Sequence, residues 1–309
     1  MVQEELKKII IICGPTAVGK TAVAIELAKH FTGEIVNADS GQVWSGLNVG
    51  TAKPSDAERA QVPHHLLDVA SPDQQFDASK FVAMADEKIS EIKGRGKNAF
   101  VVGGTGMYLR MLVNGLCDAP PRNAEMRARL AQEIEESGVE SLHARLSLID
   151  PYTAKLVHKN DKTRIVRALE IYESTGVAAS EFYRQHQFAT LRYNALKIGL
   201  DMPRKELYAR IDERVDKMLS QGWLDEVKGL LAKYDAGSQA FSAIGYRELA
   251  GYLSNEMPFE DAVDLIKRNS RRFAKRQLTW FRADGEIKWH TPLQISAIID
   301  ETSQFLGSN

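Results

Sequence analysis

The sequence predicts an α/β protein in which helices flank a parallel β-sheet. The apolar run at residues 9–13 leads through a glycine-rich loop into a helical pattern. Two further strand-like runs, at residues 34–38 and 99–102, are separated by an amphipathic helical pattern at residues 77–93. Strands that alternate with helices form crossover units, and such units give a parallel sheet.

Length and composition limit the possible classes of protein. The 309 residues exceed a typical single domain, which predicts one enlarged α/β domain or a core with an inserted module. A net charge of −1 excludes a uniformly basic nucleic-acid binder but leaves room for a local basic face. The two cysteines, Cys13 and Cys117, have no metal-type spacing, and no apolar stretch is long enough to span a bilayer. We therefore expect a cytoplasmic protein with no membrane partner.

The glycine-rich loop at residues 14–21 fits the phosphate-binding pattern in its strand-loop-helix context. Glycines let backbone N–H groups curl around phosphate oxygens, and the following helix directs its positive end at them. The last two residues add an ammonium charge and a hydroxyl that can bind Mg²⁺. A ligand-free glycine-rich turn is the structural alternative. The predicted diphosphate or nucleotide site comprises Gly14, Pro15, Thr16, Ala17, Val18, Gly19, Lys20 and Thr21.

The helical pattern at residues 22–31 is expected to end at Gly33, and a strand at residues 34–38 follows. This strand leads into Asp39-Ser40-Gly41-Gln42. Open α/β sheets bind ligands beyond the carboxyl ends of their strands, so Asp39 is a candidate functional carboxylate. The alternative is a helix or turn cap, which is a common use of aspartate.

Residues 50–54 and 64–68 are interpreted as irregular connections. His64 and His65 are adjacent, and neighbouring residues rarely bind one ion together in a closed site. We therefore expect two structural histidines, not a metal centre.

A second glycine loop, residues 103–106, follows the strand at residues 99–102. Its Thr105 can project a hydroxyl toward the same crevice, although such a loop can also serve close packing alone. No aspartate ends this strand, so the usual metal-binding acid of a nucleotide hydrolase is missing there.

Pro120-Pro121 interrupts the α/β pattern, and the chain up to about residue 188 has a helical pattern with scattered basic residues. We interpret residues 120–189 as an inserted helical module in a core of residues 1–119 and 190–309. A strand at residues 195–200 returns the chain to the sheet, and Pro203 opens a long helix. Arg210 and Arg214 share one face of that helix, where they either serve function or pair with acids such as Asp212.

Residues 267–282 contain seven basic and no acidic residues. On a helix, Val263, Ile266, Phe273 and Trp280 would form a core stripe, while basic residues that include Arg271 and Arg272 would gather elsewhere. A solvated face normally mixes charge signs, so the pattern favours contact with a polyanion over simple solvation. A closing helix is predicted at residues 293–306.

Several reactions remain open: a small-molecule kinase, a nucleotide-driven nucleic-acid enzyme, a GTP-dependent switch, or a transferase with a diphosphate leaving group. The chain lacks an Asn-Lys-x-Asp segment for reading guanine, which disfavours the switch. The missing strand-end aspartate argues against a kinase.

The chain resembles the tRNA dimethylallyltransferase family, also called tRNA isopentenyltransferases, in its bacterial form and over nearly its whole length. Seven segments carry the resemblance: residues 14–21, 39–43, 50–54, 64–68, 102–108, residues 160–161 with Arg164 and 167–170, and residues 275–282. The resemblance implies a P-loop NTPase-like core and transfer of a dimethylallyl group from dimethylallyl diphosphate to the N6 amine of the adenosine 3′ of the anticodon in tRNA. A prenyltransferase that acts on free AMP or ATP, and a nucleic-acid-binding ATPase or kinase, are the alternatives.

The resemblance also implies roles for individual residues. Lys20, Arg214 and a Mg²⁺ bound through Thr21 would stabilise the leaving diphosphate, and Asp39 would accept the amine proton beside Thr105. The implied partner is the anticodon arm of tRNA, bound by a protein that we expect to be a monomer. The expected tRNA contacts, with two arginines from the acid-free run, are Asp39, Ser40, Gly41, Gln42, Thr105, Arg127, Thr163, Arg164, Ile165, Val166, Arg167, Arg271 and Arg272.

Overall fold

Six strands form one parallel sheet in the computed structural model, which describes residues 6–308. Their order across the sheet is β3-β2-β4-β1-β5-β6. The predicted α/β class with a parallel sheet is confirmed. The strands are β1 (Lys8–Cys13), β2 (Gly33–Asn37), β3 (His64–His65), β4 (Asn98–Gly103), β5 (Asn194–Leu200) and β6 (Lys288–His290).

The central strand β1 explains why the sheet is parallel and buried. Its residues 9–13 are all buried, as expected for a strand with helices on both faces. Ile12 lies opposite Val102 of β4 on one side and Ile198 of β5 on the other. The carboxyl ends of these strands therefore meet at one edge of the sheet.

Two strands were not predicted. His64 and His65 pair with Ile35 and Val36 of β2, so the interpretation of residues 64–68 as irregular was wrong for these two residues and correct for residues 66–68. Lys288–His290 pairs with β5. Both strands are too short to show a sequence period, and they form because a longer neighbour offers backbone partners.

The helices are α1 (Lys20–His30), α2 (Asp56–Arg59), α3 (Ala78–Gly94), α4 (Gly106–Asn114), α5 (Ala124–Ser137), α6 (Val139–Ile149), α7 (Pro151–Leu156), α8 (Lys162–Thr175), α9 (Ala179–His186), α10 (Arg204–Ser220), α11 (Trp223–Leu231), α12 (Tyr246–Leu253), α13 (Phe259–Arg282) and α14 (Ile295–Gly307). A 3₁₀-helix spans Gln239–Ser242. Among residues 6–308, none of the helices is long and apolar enough to cross a membrane.

Two local predictions need correction. The turn after α1 uses Thr32, which has a φ of 50°, and not Gly33. Gly33 lies in β2, where a side chain would collide with the ring of Phe100. In α13, Trp280 was predicted to be in the core but is 42% exposed. The buried stripe contains Ile266, Ala274, Gln277 and Phe281.

The described chain separates into two compact units. One comprises residues 6–113 and 192–308 and contains the sheet, and the other is helical and comprises Asn114–Leu191. The helical unit has its own core, which includes Leu130, Leu146, Ile165 and Leu169. The predicted module, residues 120–189, lies within this unit, and its role as a tRNA-binding module stays a prediction.

Candidate active site

The phosphate loop, residues 14–21, connects β1 to α1, and three of its residues have positive φ angles, which favour glycine. Gly14 has a φ of +142°, and a Cβ there would lie 2.5 Å from the Leu200 carbonyl oxygen. Gly19 has a φ of +104° and caps α1. Ala17 also has a positive φ, 64°, although it carries a side chain. The loop thus curls tightly before the positive end of α1, as anion binding requires.

Lys20 lies across this loop. Its ammonium donates hydrogen bonds to the carbonyl oxygens of Gly14, at 3.0 Å, and Pro15, at 2.7 Å. Desolvation lowers the pKa of Lys20 to about 8, with Asp39 acting to raise it and Arg214 to lower it. These three charges therefore lie within electrostatic range of one another.

Asp39 lies just beyond β2 in a tight turn. One carboxylate oxygen, Oδ1, accepts a hydrogen bond from the Gly41 N–H at 2.8 Å. The Asn37 side chain accepts from the Asp39 N–H at 3.2 Å and donates to its carbonyl at 3.3 Å. Oδ2 accepts no hydrogen bond from residues 6–308. Asp39 is therefore a turn residue, as the structural alternative predicted, and it also has a carboxylate oxygen that is available to a substrate.

Thr105 connects the second glycine loop, residues 103–106, to the Asp39 turn. Its hydroxyl oxygen accepts from the Ser40 N–H at 2.9 Å and lies 3.2 Å from the Ser40 hydroxyl. Because β2 and β4 are neighbours in the sheet, their carboxyl ends bring Asp39 and Thr105 together. The predicted proximity of these two residues is correct.

A cavity of about 350 Å³ joins the phosphate loop to the Asp39 turn. Thr16, Ala17, Asp39 and Ser40 line it together with Arg214 from α10. Burial lowers the pKa of Arg214, and Asp39 acts in the opposite direction. The cavity also has an apolar wall, which is formed by Trp44, Ile211, Val215, Met218, Trp223, Ile244 and Phe273. The cavity thus offers cations and a carboxylate beside a surface that suits a small apolar group.

A smaller cavity of about 40 Å³ borders Lys20, Thr21, Asp39 and Gln42. The Thr21 hydroxyl is an oxygen donor of the kind that Mg²⁺ accepts. Residues 6–308 contain no cluster of three His, Cys, Asp or Glu side chains that could hold a metal. The donor set fits Mg²⁺ that retains waters and substrate oxygens, which is the usual coordination of this ion.

The paired histidines each make one polar contact, but His64 Nε2 is buried without a hydrogen-bond partner within residues 6–308, so a purely structural role for both stays a prediction. His64 Nδ1 lies 2.7 Å from the Val62 carbonyl, and His65 Nε2 lies 2.7 Å from Glu34 Oε2.

The basic run at residues 267–282 contains no acidic residue, but carboxylates of another helix lie beside two of its cations. Arg271 pairs with Asp212 of α10 at 2.5 Å, and Lys267 pairs with Asp216 at 2.6 Å. Arg272 is exposed and forms no ion pair within the part of the chain that the structure describes. The two arginines predicted together as tRNA contacts therefore differ, because only Arg272 carries a charge that no carboxylate of residues 6–308 neutralises.

In the helical unit, two of the arginines predicted to contact tRNA are likewise already paired with a carboxylate. Arg127 and Arg167 both bind the buried carboxylate of Glu170, at 2.8 Å and 2.7 Å. Burial raises the pKa of Glu170, but these hydrogen bonds outweigh it and lower the pKa to about 2. Ile165 is 0% exposed and its side chain packs in the core of the helical unit, so its contact with tRNA stays a prediction that its side chain does not support.

The structure leaves the other helical-unit positions accessible. Thr163 and Arg164 are exposed on the first turn of α8, and Val166 is partly exposed.

Sequence reasoning did not identify Gln277, which contacts both loops, or the apolar cavity wall that includes Trp223. Gln277 lies within the segment 275–282 that carried the resemblance, but no spacing or charge singled it out. Trp223 lies between Gly50 and Gly245, where any side chain would collide with the indole. Such a fit depends on segments that are distant in the sequence.

The fold and the glycine-rich loop between β1 and α1 define a protein of the phosphate-loop α/β class. The family model described as IPP transferase matches residues 42–284. The tRNA dimethylallyltransferase 2 of Geotalea uraniireducens is 48% identical over 306 residues, covering 98% of this chain and 99% of the relative. The tRNA dimethylallyltransferase of Geobacter metallireducens is 48% identical, covering 94% of each chain. The chain belongs to the IPP transferase family, and the resemblance seen in the sequence is confirmed.

Solved structures agree. The tRNA isopentenylpyrophosphate transferase of Bacillus halodurans is 39% identical with a TM-score of 0.73, covering 97% of each chain. A eukaryotic dimethylallyltransferase acting on tRNA is 30% identical with a TM-score of 0.82, covering 97% of this chain and 79% of that one. The family model begins after the phosphate loop and Asp39, whereas these full-length matches include them.

Proposed function

We propose that this chain transfers a dimethylallyl group from dimethylallyl diphosphate to the N6 amine of the adenosine 3′ of the anticodon in tRNA. One observation carries the proposal. The phosphate loop, the Asp39 turn and Arg214 line a single cavity with an apolar wall. The donor has a charged diphosphate and a small apolar chain, and this cavity offers complementary surfaces for both.

The leaving group requires positive charge. In the reaction the bond between the donor's first carbon and the diphosphate oxygen breaks, so negative charge grows on the diphosphate. Lys20 and Arg214 would stabilise that charge, because cations held in place before the reaction do not have to reorganise as the charge grows. Mg²⁺, held through the Thr21 hydroxyl, would add positive charge against the same oxygens.

The acceptor amine requires a base. As the new carbon–nitrogen bond forms, the amine becomes cationic and acidic, and one of its protons moves to the Asp39 carboxylate. The Gly41 N–H and the Asn37 amide hold the Asp39 turn. Thr105, 2.9 Å from the Ser40 N–H, lies where its hydroxyl could orient the adenine.

The adenine must leave the stacked anticodon loop to reach this cavity, as in other enzymes that modify bases. The exposed Arg164, Thr163 and Arg272 are proposed to contact the RNA backbone. Arg127, Arg167 and Arg271 are proposed to act mainly by holding their helices, since each already binds a carboxylate.

The direct test is to incubate the protein with unmodified tRNA, dimethylallyl diphosphate and Mg²⁺, and then to digest the tRNA and measure nucleoside masses. We expect one dimethylallyl group on one adenosine of the anticodon loop, with one diphosphate released for each transfer. Transfer to AMP with no transfer to tRNA would contradict the proposal. Transfer that needs stoichiometric ATP hydrolysis would also contradict it.

A further inference from the structure

Gln277 of α13 is 5% exposed and connects the two glycine loops of the candidate site. Its Oε1 accepts a hydrogen bond from the Thr16 N–H of the phosphate loop at 2.8 Å. Its Nε2 donates to the Gly104 carbonyl, one residue before Thr105, at 2.9 Å. A single side chain thus joins segments that lie 261 and 173 residues away in the sequence.

A primary amide of this length makes both contacts at any pH, because it carries one acceptor and one donor group. A backbone N–H can only donate and a carbonyl can only accept, so the orientation of the Gln277 amide is fixed by its two partners. A carboxylate would present a lone pair to the Gly104 carbonyl, and an apolar side chain would remove the partner of both backbone groups. Gly104 has no room for a side chain, because a Cβ there would collide with Gln277 Nε2.

The contacts continue from Gln277 to the proposed base. Gly104 precedes Thr105, whose hydroxyl accepts from the Ser40 N–H at 2.9 Å, and Ser40 follows Asp39. At the other end, Thr16 belongs to the loop proposed to hold the diphosphate. Gln277 therefore connects the loop that would hold the leaving group to the loop beside the proposed base.

We propose that Gln277 is a positioning residue that fixes the separation between the diphosphate and the acceptor amine. The inference rests on the proposed function. The inference adds that α13, through Gln277, holds the phosphate loop and the second glycine loop at a fixed distance from each other. Displacement of a reactive group by about 1 Å can cost about 10²-fold in rate, so loss of this connection should act on the chemical step.

Two variants test the proposal. Gln277→Met keeps the size but removes both hydrogen bonds. Gln277→Glu keeps the acceptor for Thr16 and can donate to Gly104 only when it is protonated. A buried carboxyl beside a carbonyl has a raised pKa, so the Glu variant should recover as the pH falls.

The readout is single-turnover transfer at saturating donor and tRNA, between pH 6 and pH 9. We expect rate constants about 10²-fold below wild type for Gln277→Met at every pH. For Gln277→Glu the ratio to wild type should rise at least fivefold from pH 8.5 to pH 6. The reaction amplitude reports the folded fraction, so a merely structural role would lower the amplitude and leave the rate constant and its pH profile unchanged.

Asn98→Asp is the matched control. The Asn98 side-chain amide donates to the Phe31 carbonyl at 2.8 Å at the opposite end of β4, so the same chemical change is made far from the two loops. This variant should lose stability but keep the wild-type rate constant and pH profile. Wild-type transfer together with a Gln277→Met rate constant within threefold of it would overturn the inference. Absence of transfer by the wild type would instead overturn the proposed function.

Discussion

Asp39 shows how one side chain can serve both a turn and a reaction. Oδ1 holds the turn through the Gly41 N–H at 2.8 Å, and Oδ2 accepts no hydrogen bond from residues 6–308. The turn fixes the carboxylate in place before the substrate arrives, which lowers the entropic cost of using it. The two interpretations that the sequence left open are therefore compatible.

Asp39→Asn should separate these two roles. Asparagine keeps the Oδ1 acceptor and is well tolerated in such turns, but it lacks most of the basicity. We expect single-turnover transfer to fall about 10²–10⁴-fold, with donor and tRNA affinities changed much less. The matched control is Asp235→Asn, because Asp235 Oδ1 accepts from the Gly237 N–H at 2.8 Å in an equivalent turn outside the site. A near-wild-type rate in Asp39→Asn would reject the role as base.

Lys20 should make donor binding depend on pH. Its pKa is lowered to about 8 in the protein without ligand, and a bound diphosphate must raise it. Binding then requires proton uptake above pH 8, so the dissociation constant should rise by up to about tenfold per pH unit there. Titration calorimetry from pH 6.5 to pH 9.5 measures this. Lys20→Met should bind more weakly with a flat profile above pH 7.5, and a flat wild-type profile would contradict the prediction.

At the scale of elements, a buried carboxylate near the start of strand β2 forms several ion pairs. The Glu34 carboxylate is 4% exposed and lies 2.9 Å from Lys97 Nζ, 2.7 Å from Arg95 Nη2 and 2.7 Å from His65 Nε2. Burial raises its pKa, but hydrogen bonds from Lys97, His65 and Arg95 outweigh burial and lower it to about 2. This end of β2 lies away from the candidate site, so its contribution should concern stability alone.

Glu34→Gln should therefore destabilise the protein in a pH-dependent way. A depressed carboxyl pKa stabilises the fold above the unfolded value of 4.5, and this stabilisation is lost as the pH falls toward 2. We expect a loss of at most about 3 kcal/mol at pH 7, shrinking below pH 4.5. Urea unfolding at several pH values measures it. Glu91→Gln, at an exposed ion pair with Lys88, should change stability far less. An equal loss at pH 7 and pH 3 would contradict the linkage.

The elements that sequence patterns predict are those whose causes are local. Strand β1, the phosphate loop and α1 follow from an apolar run, glycine spacing and helical periodicity within a few residues. Strands β3 and β6 depend on neighbouring strands, and Trp280 is exposed because it packs on Gly106 and not into the core. The absence of acidic residues from 267–282 did not predict that Arg271 is paired, because its partner Asp212 lies on another helix. Gln277 escaped notice because its two partners are distant in the sequence.

At the scale of the whole molecule, binding of a polyanion must depend on local charge, because the net charge is −1. Each of the two units has exposed cations that carboxylates do not fully neutralise. In the sheet-containing unit this cation is Arg272. In the helical unit it is Arg164, whose Nε lies 3.4 Å from Asp161 Oδ2. Exposed cations of this kind bind phosphates by releasing counterions, which makes affinity depend on salt.

The last prediction is that Arg272→Glu weakens tRNA binding far more than Arg271→Glu does. Arg272 is exposed, so reversing its charge removes a phosphate contact and should reduce the slope of log affinity against log salt by about one. Arg271 already pairs with Asp212, so its reversal should mainly reduce stability by placing two carboxylates together. Lys29→Glu, at the far end of α1, carries the same change in net charge and should leave tRNA affinity nearly unchanged. Filter binding at several salt concentrations, with donor affinity measured separately, makes the comparison. Equal effects of Arg272→Glu and Lys29→Glu would show that α13 contributes only general charge.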